Sequence, residues 1–238
     1  MSPLTMRGHL QRCWLFTWRT PAEAARSLLP APLELVTHGG FAFWNVVVCE
    51  LRGVRPAPMP AAIGLGYWHI AYRLHTRVRV APDETFEGLY FVRSDCDRRL
   101  VAFAGNLLTD FRFHCARIAV QASDDSVDGA IRTPGANARF RLRDETPGSL
   151  SPGSPFTSVA EAAAFLKYKP FALTPAGEDS VSIVRVVRRE TDWRCRVVSV
   201  VESDWEFFNG HDVTPEVCYA VEPIEYEWRR AEFREVLR

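Results

Sequence analysis

Residues 41–51 read Phe-Ala-Phe-Trp-Asn-Val-Val-Val-Cys-Glu-Leu. Side chains alternate across a strand, so a strand with one wet face shows a polar residue at every second position. This stretch shows apolar side chains at both parities and must be buried on both faces. A chain that contains it cannot lay it on the outside of a flat, open sheet. Leu33–Val36 and Phe41–Leu51 read as a hairpin around His38-Gly39-Gly40. After the proline-rich loop Arg52–Pro60, Tyr67–Val80 is the clearest alternating strand. Trp68, Ile70, Tyr72, Leu74, Thr76, Val78 and Val80 share one face, and His69, Ala71, Arg73, His75, Arg77 and Arg79 share the other. A polar face this basic is either the solvent side of a sheet or the lining of a pocket. On the residues alone, solvent is the plainer reading.

The rest of the chain supplies more strands and a few short helices. Cys13–Arg19 is a strand with Trp14, Phe16 and Trp18 on one face. Thr20-Pro21-Ala22-Glu23 has the pattern of a capping box that opens a short helix ending by Pro30. Leu89–Val120 reads as strand, helix and strand. Ser94, Asp95 and Asp97 offer cap oxygens, and Leu100, Phe103, Ala104, Leu107 and Leu108 recur at helical spacing. Ser123–Gly129 reads as an acidic turn, Arg139–Arg143 as a short strand, and Asp144–Pro155 as a loop. Ser158-Val159-Ala160-Glu161 is a second capping box, opening a helix through about Lys167. Val181–Glu190 and Arg194–Asp204 are long strands joined at Thr191-Asp192. One more strand and a charged tail lie in Val217–Arg230. Without a repeat or a break in composition, the inventory describes one α+β domain over residues 1–238. It is dominated by antiparallel sheet, curled into a barrel or half-barrel to bury its two-faced strands.

Composition excludes several functions. Apolar residues make up 47% of the chain and aromatics 12%, enough for a sizeable core. A formal net charge of zero argues against nucleic acid or an anionic membrane as partner. The six cysteines form no CxxC pair and no zinc-type cluster, and most sit in apolar runs where a free thiol packs as a small hydrophobe. This implies a reducing, cytoplasmic setting. No apolar run approaches the roughly 18 residues of a membrane span, and the N-terminal residues lack a signal core. P-loop, GxGxxG, HExxH and GxSxG patterns are absent. Lys167 and Lys169 are the only lysines, so amine chemistry is confined to them and the N-terminus.

The run PAEAARSLLPAPLELVTHGGFAFWNVVVCELRGVRPAPMP resembles the opening of the YqjF-like family of uncharacterised bacterial proteins, domain of unknown function 2071. Arg73-Leu74-His75-Thr76-Arg77-Val78 is similar to that family's next strand. LYFVRSDCD, His114-Cys115-Ala116-Arg117-Ile118 and PFTSVAEAAAFLKYKPFAL continue the match over roughly residues 9–228. Such proteins are related in fold to acetoacetate decarboxylase. The resemblance implies a strongly bent antiparallel sheet forming a cone-like barrel around an internal cavity. It also implies that the basic face of Tyr67–Val80 lines that cavity, under a convex face covered in part by the helices Ala22–Leu29, Arg98–Leu108 and Val159–Lys167. Where acetoacetate decarboxylases carry a Schiff-base lysine, the match puts Phe113, so imine chemistry is not expected. Lys167 and Lys169, on the later helix and its exit, are expected to be solvated.

The expected ligand-binding residues are therefore His69, Arg73, His75, Arg77, Phe113 and Arg52, with no catalytic residue assigned, no metal and no cofactor. Arg52 and Arg55 flank the loop that would close one end of the cone, and loop stabilisation is an equal reading for both. His114 alternates away from Phe113 and reads as structural, while His9, His38 and His211 sit in loop-like contexts. Buried arginines need partners, for which Glu50, Glu190 and Glu202 are candidates. The expected partner is a small organic molecule with an anionic or carbonyl group, not nucleic acid or a membrane, and a homo-oligomer is left open. Three readings remain. A binding protein needs only the cavity. A lyase or hydrolase would use His69 or His75 as acid or base, with Arg73 or Arg77 as clamp. A structural or partner-binding protein would have a filled interior.

Overall fold

The computed structural model describes residues 2–144, 149–167, 169–189 and 193–237. The chain opens with the long strand β1 (Met6–Pro21), the single-turn helix α1 (Ala22–Arg26) and two minimal strands, β2 (Glu34–Leu35) and β3 (Thr37–His38). Then come β4 (Phe41–Pro56), β5 (Leu65–Ala81), β6 (Glu84–Cys96), the helix α2 (Arg99–Leu108) and β7 (Phe113–Cys115). The middle of the chain forms β8 (Arg117–Ala122), β9 (Ser126–Arg132), β10 (Ala138–Arg143) and the helix α3 (Val159–Leu166). The last part forms β11 (Phe171–Pro175), β12 (Ser180–Val187), β13 (Cys195–Trp205), β14 (Thr214–Val221), β15 (Ile224–Trp228) and β16 (Glu232–Glu235).

The strands make one strongly bent sheet. Its path β4-β5-β6-β11-β12-β15-β1 returns on itself, because β1 also pairs with β4 along almost its full length. The result is a ring of seven strands. The seam is thinnest where β6 meets β11, through the single parallel bridge Leu89–Ala172, and where β12 meets β15. From β1 the sheet continues through β14, β13, β10 and β9 to β8, and this arm folds back over the outside of the ring.

This doubling explains the two-faced strands. Phe43, Val47, Cys49 and Leu51 of β4 point into the ring with Leu10, Cys13 and Leu15 of β1. Trp44, Val46 and Val48 point outward with Trp14, Phe16, Ile70, Tyr72 and Leu74, and pack against Ile131, Phe140, Leu142 and Trp205 of the folded-back arm. Each such side chain contributes about 1.5–3 kcal/mol by its burial. The convex face is thus covered by strands and not, as the sequence suggested, by helices. Instead α2 and α3 serve the ring's openings. Ala162 and Leu166 of α3 join the interior cluster at one end, and α2 contributes to the cavity wall at the other.

Several local expectations change. Thr20 does not cap α1, whose N-cap is Pro21 with no side-chain bond. β1 runs straight into that helix and uses Thr20 in its pairing with Ala42. Asp95 and Asp97 do not cap α2 either. Asp95 accepts from Arg93, and Asp97 accepts the Trp68 amide at 2.9 Å. At α3 the cap holds, with Ser158 Oγ accepting from the Glu161 amide at 3.1 Å, while Glu161 reaches back to Thr157. Residues 34–35 pair with β5, and only Thr37-His38 forms the hairpin with β4. Most of the expected acidic turn 123–129 belongs to β9, where Ser126 pairs with Arg143 and Gly129 with Phe140. The alternate burial of β10 sets that register, since Phe140 and Leu142 must face the core. β12 and β13 do not pair with each other, and their expected junction Thr191-Asp192 lies outside the described residues. The C-terminal region holds three strands where one was expected.

Candidate functional site

The ring encloses a cavity of about 390 Å³. Strand register sets its wall in tiers. Leu10 faces Leu51, which faces Tyr67. Cys13 faces Cys49, which faces His69. Deeper in, Asn45 pairs with Arg73. Alternation along β5 sends Tyr67, His69 and Arg73 inward, and all three line the cavity. A bulge at β6 skips Val92 and brings Phe91 opposite Arg73. The Arg73 guanidinium lies 5.6 Å from the Phe91 ring centroid, a cation–π contact.

Arg73 is only 3% exposed. Its Nη2 donates to Asn45 Oδ1, and its Nε donates to the Asn45 carbonyl at 3.4 Å. Asn45 Nδ2 in turn donates to the Leu166 carbonyl at 3.3 Å, tying the arginine to the end of α3. Among the described residues no aspartate or glutamate lines the cavity. Glu50, one of the expected arginine partners, engages Arg52 and Arg12 instead. Glu202 is exposed, and Glu190 lies outside the described residues.

His69 lies between Tyr67 and Phe113, with the Phe113 ring at 5.1 Å. Its Nε2 is buried and has no hydrogen-bond partner among the described residues. Burial, reinforced by Arg73, lowers its pKa to about 3, so the ring is neutral near pH 7. Burial pushes the Cys49 thiol up to about 12, and raises the Tyr67 phenol and the Cys13 thiol as well. Among the described residues the cavity therefore offers one cation, a neutral imidazole and protonated thiols and phenol, set in an apolar wall.

Phe113 lines the cavity and is held there by α2. Asn106 clamps its backbone, accepting from the Phe113 amide and donating to its carbonyl, each at 2.7 Å. Gly105 makes the close approach feasible, since a Cβ there would stand 2.4 Å from the Phe113 ring.

The other expected site residues lie elsewhere. His75 is fully buried but behind the cavity, stacked on Phe165 at 6.0 Å. Neither ring nitrogen has a partner among the described residues. Its pKa is lowered to about 3 by burial, then by Lys169 and Arg73. Arg77 is on the surface, paired with Glu34 at 2.9 Å, because the unbroken burial of His69–Thr76 gives way to alternation, with Arg77 exposed and Val78 buried. Arg52 is also exposed and bonded to Glu50, and Arg55 braces its own loop through the Gly53 and Met59 carbonyls. His114 is exposed, with Nδ1 3.3 Å from the Ser94 carbonyl. His9 pairs with Glu225, His38 stacks on Phe156, and His211 stacks on Phe207. Lys167 is exposed as expected, whereas the Lys169 side chain is only 15% exposed, 3.5 Å from Glu87 and over the Phe165 ring.

Asn45, Tyr67, the cysteine pair and α2 were missed as site elements. Asn45 carried a signal: it is the one amide inside a strand apolar on both faces. Such a residue must find partners where it is buried.

Solved structures with the same fold are acetoacetate decarboxylases and their relatives. One is an acetoacetate decarboxylase-like enzyme from Sphingomonas wittichii RW1, 16% identical, with a TM-score of 0.63 over 100% of this chain and 95% of that one. Another is acetoacetate decarboxylase from Legionella pneumophila, 12% identical, with a TM-score of 0.61 over 99% of this chain and 88% of that one. A third is the enduracididine biosynthesis enzyme MppR complexed with pyruvate, 10% identical, with a TM-score of 0.61 over 98% and 91%. No curated protein matches the chain. At these identities the likeness establishes the fold. Residues 7–224 match the family described as an uncharacterized conserved protein, DUF2071, and the chain belongs to that family.

Proposed function

We propose that this protein binds a small organic molecule bearing an anionic or carbonyl group in the cavity inside the strand ring. The observation that carries this reading is Arg73, a guanidinium 3% exposed in the wall of an apolar cavity. A guanidinium so placed forms strong charge-assisted hydrogen bonds with an anionic or carbonyl oxygen brought to it. His69 Nε2, buried without a partner among the described residues, supplies a second polar contact. Phe113 and Phe91 supply apolar wall. A structure with this fold was solved with pyruvate, a carboxylate that carries a carbonyl.

Binding is favoured over turnover. A general base works best with a pKa near the working pH, and His69 at about 3 is a weak one. Among the described residues no lysine lines the cavity, so the reading includes no imine step. A filled interior, which a purely structural role would require, is at odds with the 390 Å³ cavity. The test is mass spectrometry of metabolites retained by the purified protein. An organic acid or carbonyl compound retained by the wild type and lost from Arg73→Met, with unchanged circular dichroism, supports the reading. Retention that does not depend on Arg73 overturns it.

A further inference from the structure

The cavity wall is graded along one direction. On β5, the inward positions pass from Leu65, 45% exposed, through Tyr67 and His69 to Arg73, 3% exposed. Those ends are eight residues apart, roughly 25 Å at the rise of a strand. The neighbouring strands follow the same gradient, since Leu65 faces Val54 at the shallow end and Arg73 faces Asn45 at the deep end. The cavity's cation is therefore at the foot, and the wall above it is mostly apolar, interrupted by Ser2, Tyr67, His69 and Thr109.

The mouth is apolar too. Leu4, Leu65 and Leu108 of the cavity wall are 46%, 45% and 37% exposed, and Leu100 of α2 is 65% exposed. A monomer's surface seldom gathers large apolar side chains in one place without use, and here they rim an opening. At roughly 30 Å³ per water-sized group, 390 Å³ holds about a dozen of them. A three- or four-carbon acid seated at Arg73 would leave most of the apolar wall uncovered.

We infer that the ligand is an apolar-tailed carboxylate held head-down, its carboxylate at Arg73 and His69 and its hydrocarbon chain rising past Leu51 and Leu10 to the leucines of the mouth. This rests on the reading of the cavity as a site for an anionic or carbonyl group. The tail supplies affinity by covering apolar wall, and the head sets direction, because only the head-down orientation brings the carboxylate to the buried guanidinium.

Calorimetry on the full chain with straight-chain carboxylates from acetate to dodecanoate tests it, with 1-decanol as the neutral control. Affinity rises about fourfold per methylene while added carbons are still being buried. It flattens once the chain reaches the exposed rim, and decanol binds at least tenfold more weakly than decanoate. Leu65→Glu, at an exposed position, weakens decanoate at least fivefold and weakens acetate far less. Acetate or pyruvate binding as tightly as decanoate overturns the tail and leaves the anion site standing. Decanol matching decanoate overturns the head assignment and the proposed function with it. No binding across the whole series overturns both.

Discussion

Arg73 and Asn45 face each other across β5 and β4 at the deep end of the cavity, and the amide holds the guanidinium by its side chain and its backbone carbonyl. The same Asn45 anchors to Leu166 at the end of α3. A neutral amide thus helps to hold the cation at the foot of the cavity. Asn45→Asp places a carboxylate against Arg73 and is expected to abolish binding of organic anions while the protein stays folded. Asn45→Ala removes two buried hydrogen-bonding roles and is expected to cost about 1–3 kcal/mol of stability. Titration with decanoate, alongside urea unfolding of both variants, separates the two effects.

Gly105 sits inside α2, where glycine costs about 0.5–1 kcal/mol relative to alanine. Here that cost is offset by contact, because the helix must lie on the Phe113 ring. Gly105→Ala is expected to displace α2 or push Phe113 into the cavity. The measurable outcome is decanoate affinity reduced about tenfold or more, with little change in unfolding free energy. Equal affinity in the variant would show that α2 does not position the wall.

The sequence showed the ring's interior more clearly than its covering. Alternation along Tyr67–Val80 separates the inward His69 and Arg73 from the outward Ile70, Tyr72 and Leu74, since a period of two depends on local geometry alone. The same alternation does not show where burial on both faces stops: Arg77 shares its parity with Arg73, yet that face is exposed beyond Thr76 while Val78 on the other stays buried. Nor could it show that the arm β13-β10-β9-β8 returns over the convex face, because that packing joins segments far apart in the chain. Thr20 and Asp97 had the chemistry of helix caps but were claimed by the sheet and by the Trp68 amide. Lys169 was expected in water, and its contact with Phe165 depends on where α3 lands.

The two buried histidines give stability a defined pH dependence. His69 and His75 both have pKa values lowered to about 3, against about 6.5 for an unfolded histidine. Between those values the unfolded chain binds more protons than the folded one. Their contribution is therefore full above pH 6.5 and is lost progressively as pH falls toward 3. Carboxylates add their own dependence at low pH, so the diagnostic comparison is with His75→Phe. This variant keeps the contact with Phe165 and is expected to show a shallower fall in urea midpoint between about pH 6 and 4.5. Parallel profiles for the two proteins would contradict a neutral, buried His75.

Imine chemistry is expected to be absent. Borohydride reduction in the presence of acetoacetate should leave the protein mass unchanged. A stoichiometric adduct on Lys169, the better buried of the two lysines, would place amine chemistry next to His75 and require a different account of the interior.

An anionic or carbonyl head group is expected to seat at the foot of the strand ring. A crystal structure of the wild-type protein grown with decanoate tests it most directly. The predicted result is a carboxylate within hydrogen-bonding distance of the Arg73 guanidinium and of His69 Nε2, with the chain running toward Leu65 and α2. Decanoate bound outside the ring, or inverted with its carboxylate at the leucine mouth, would contradict it.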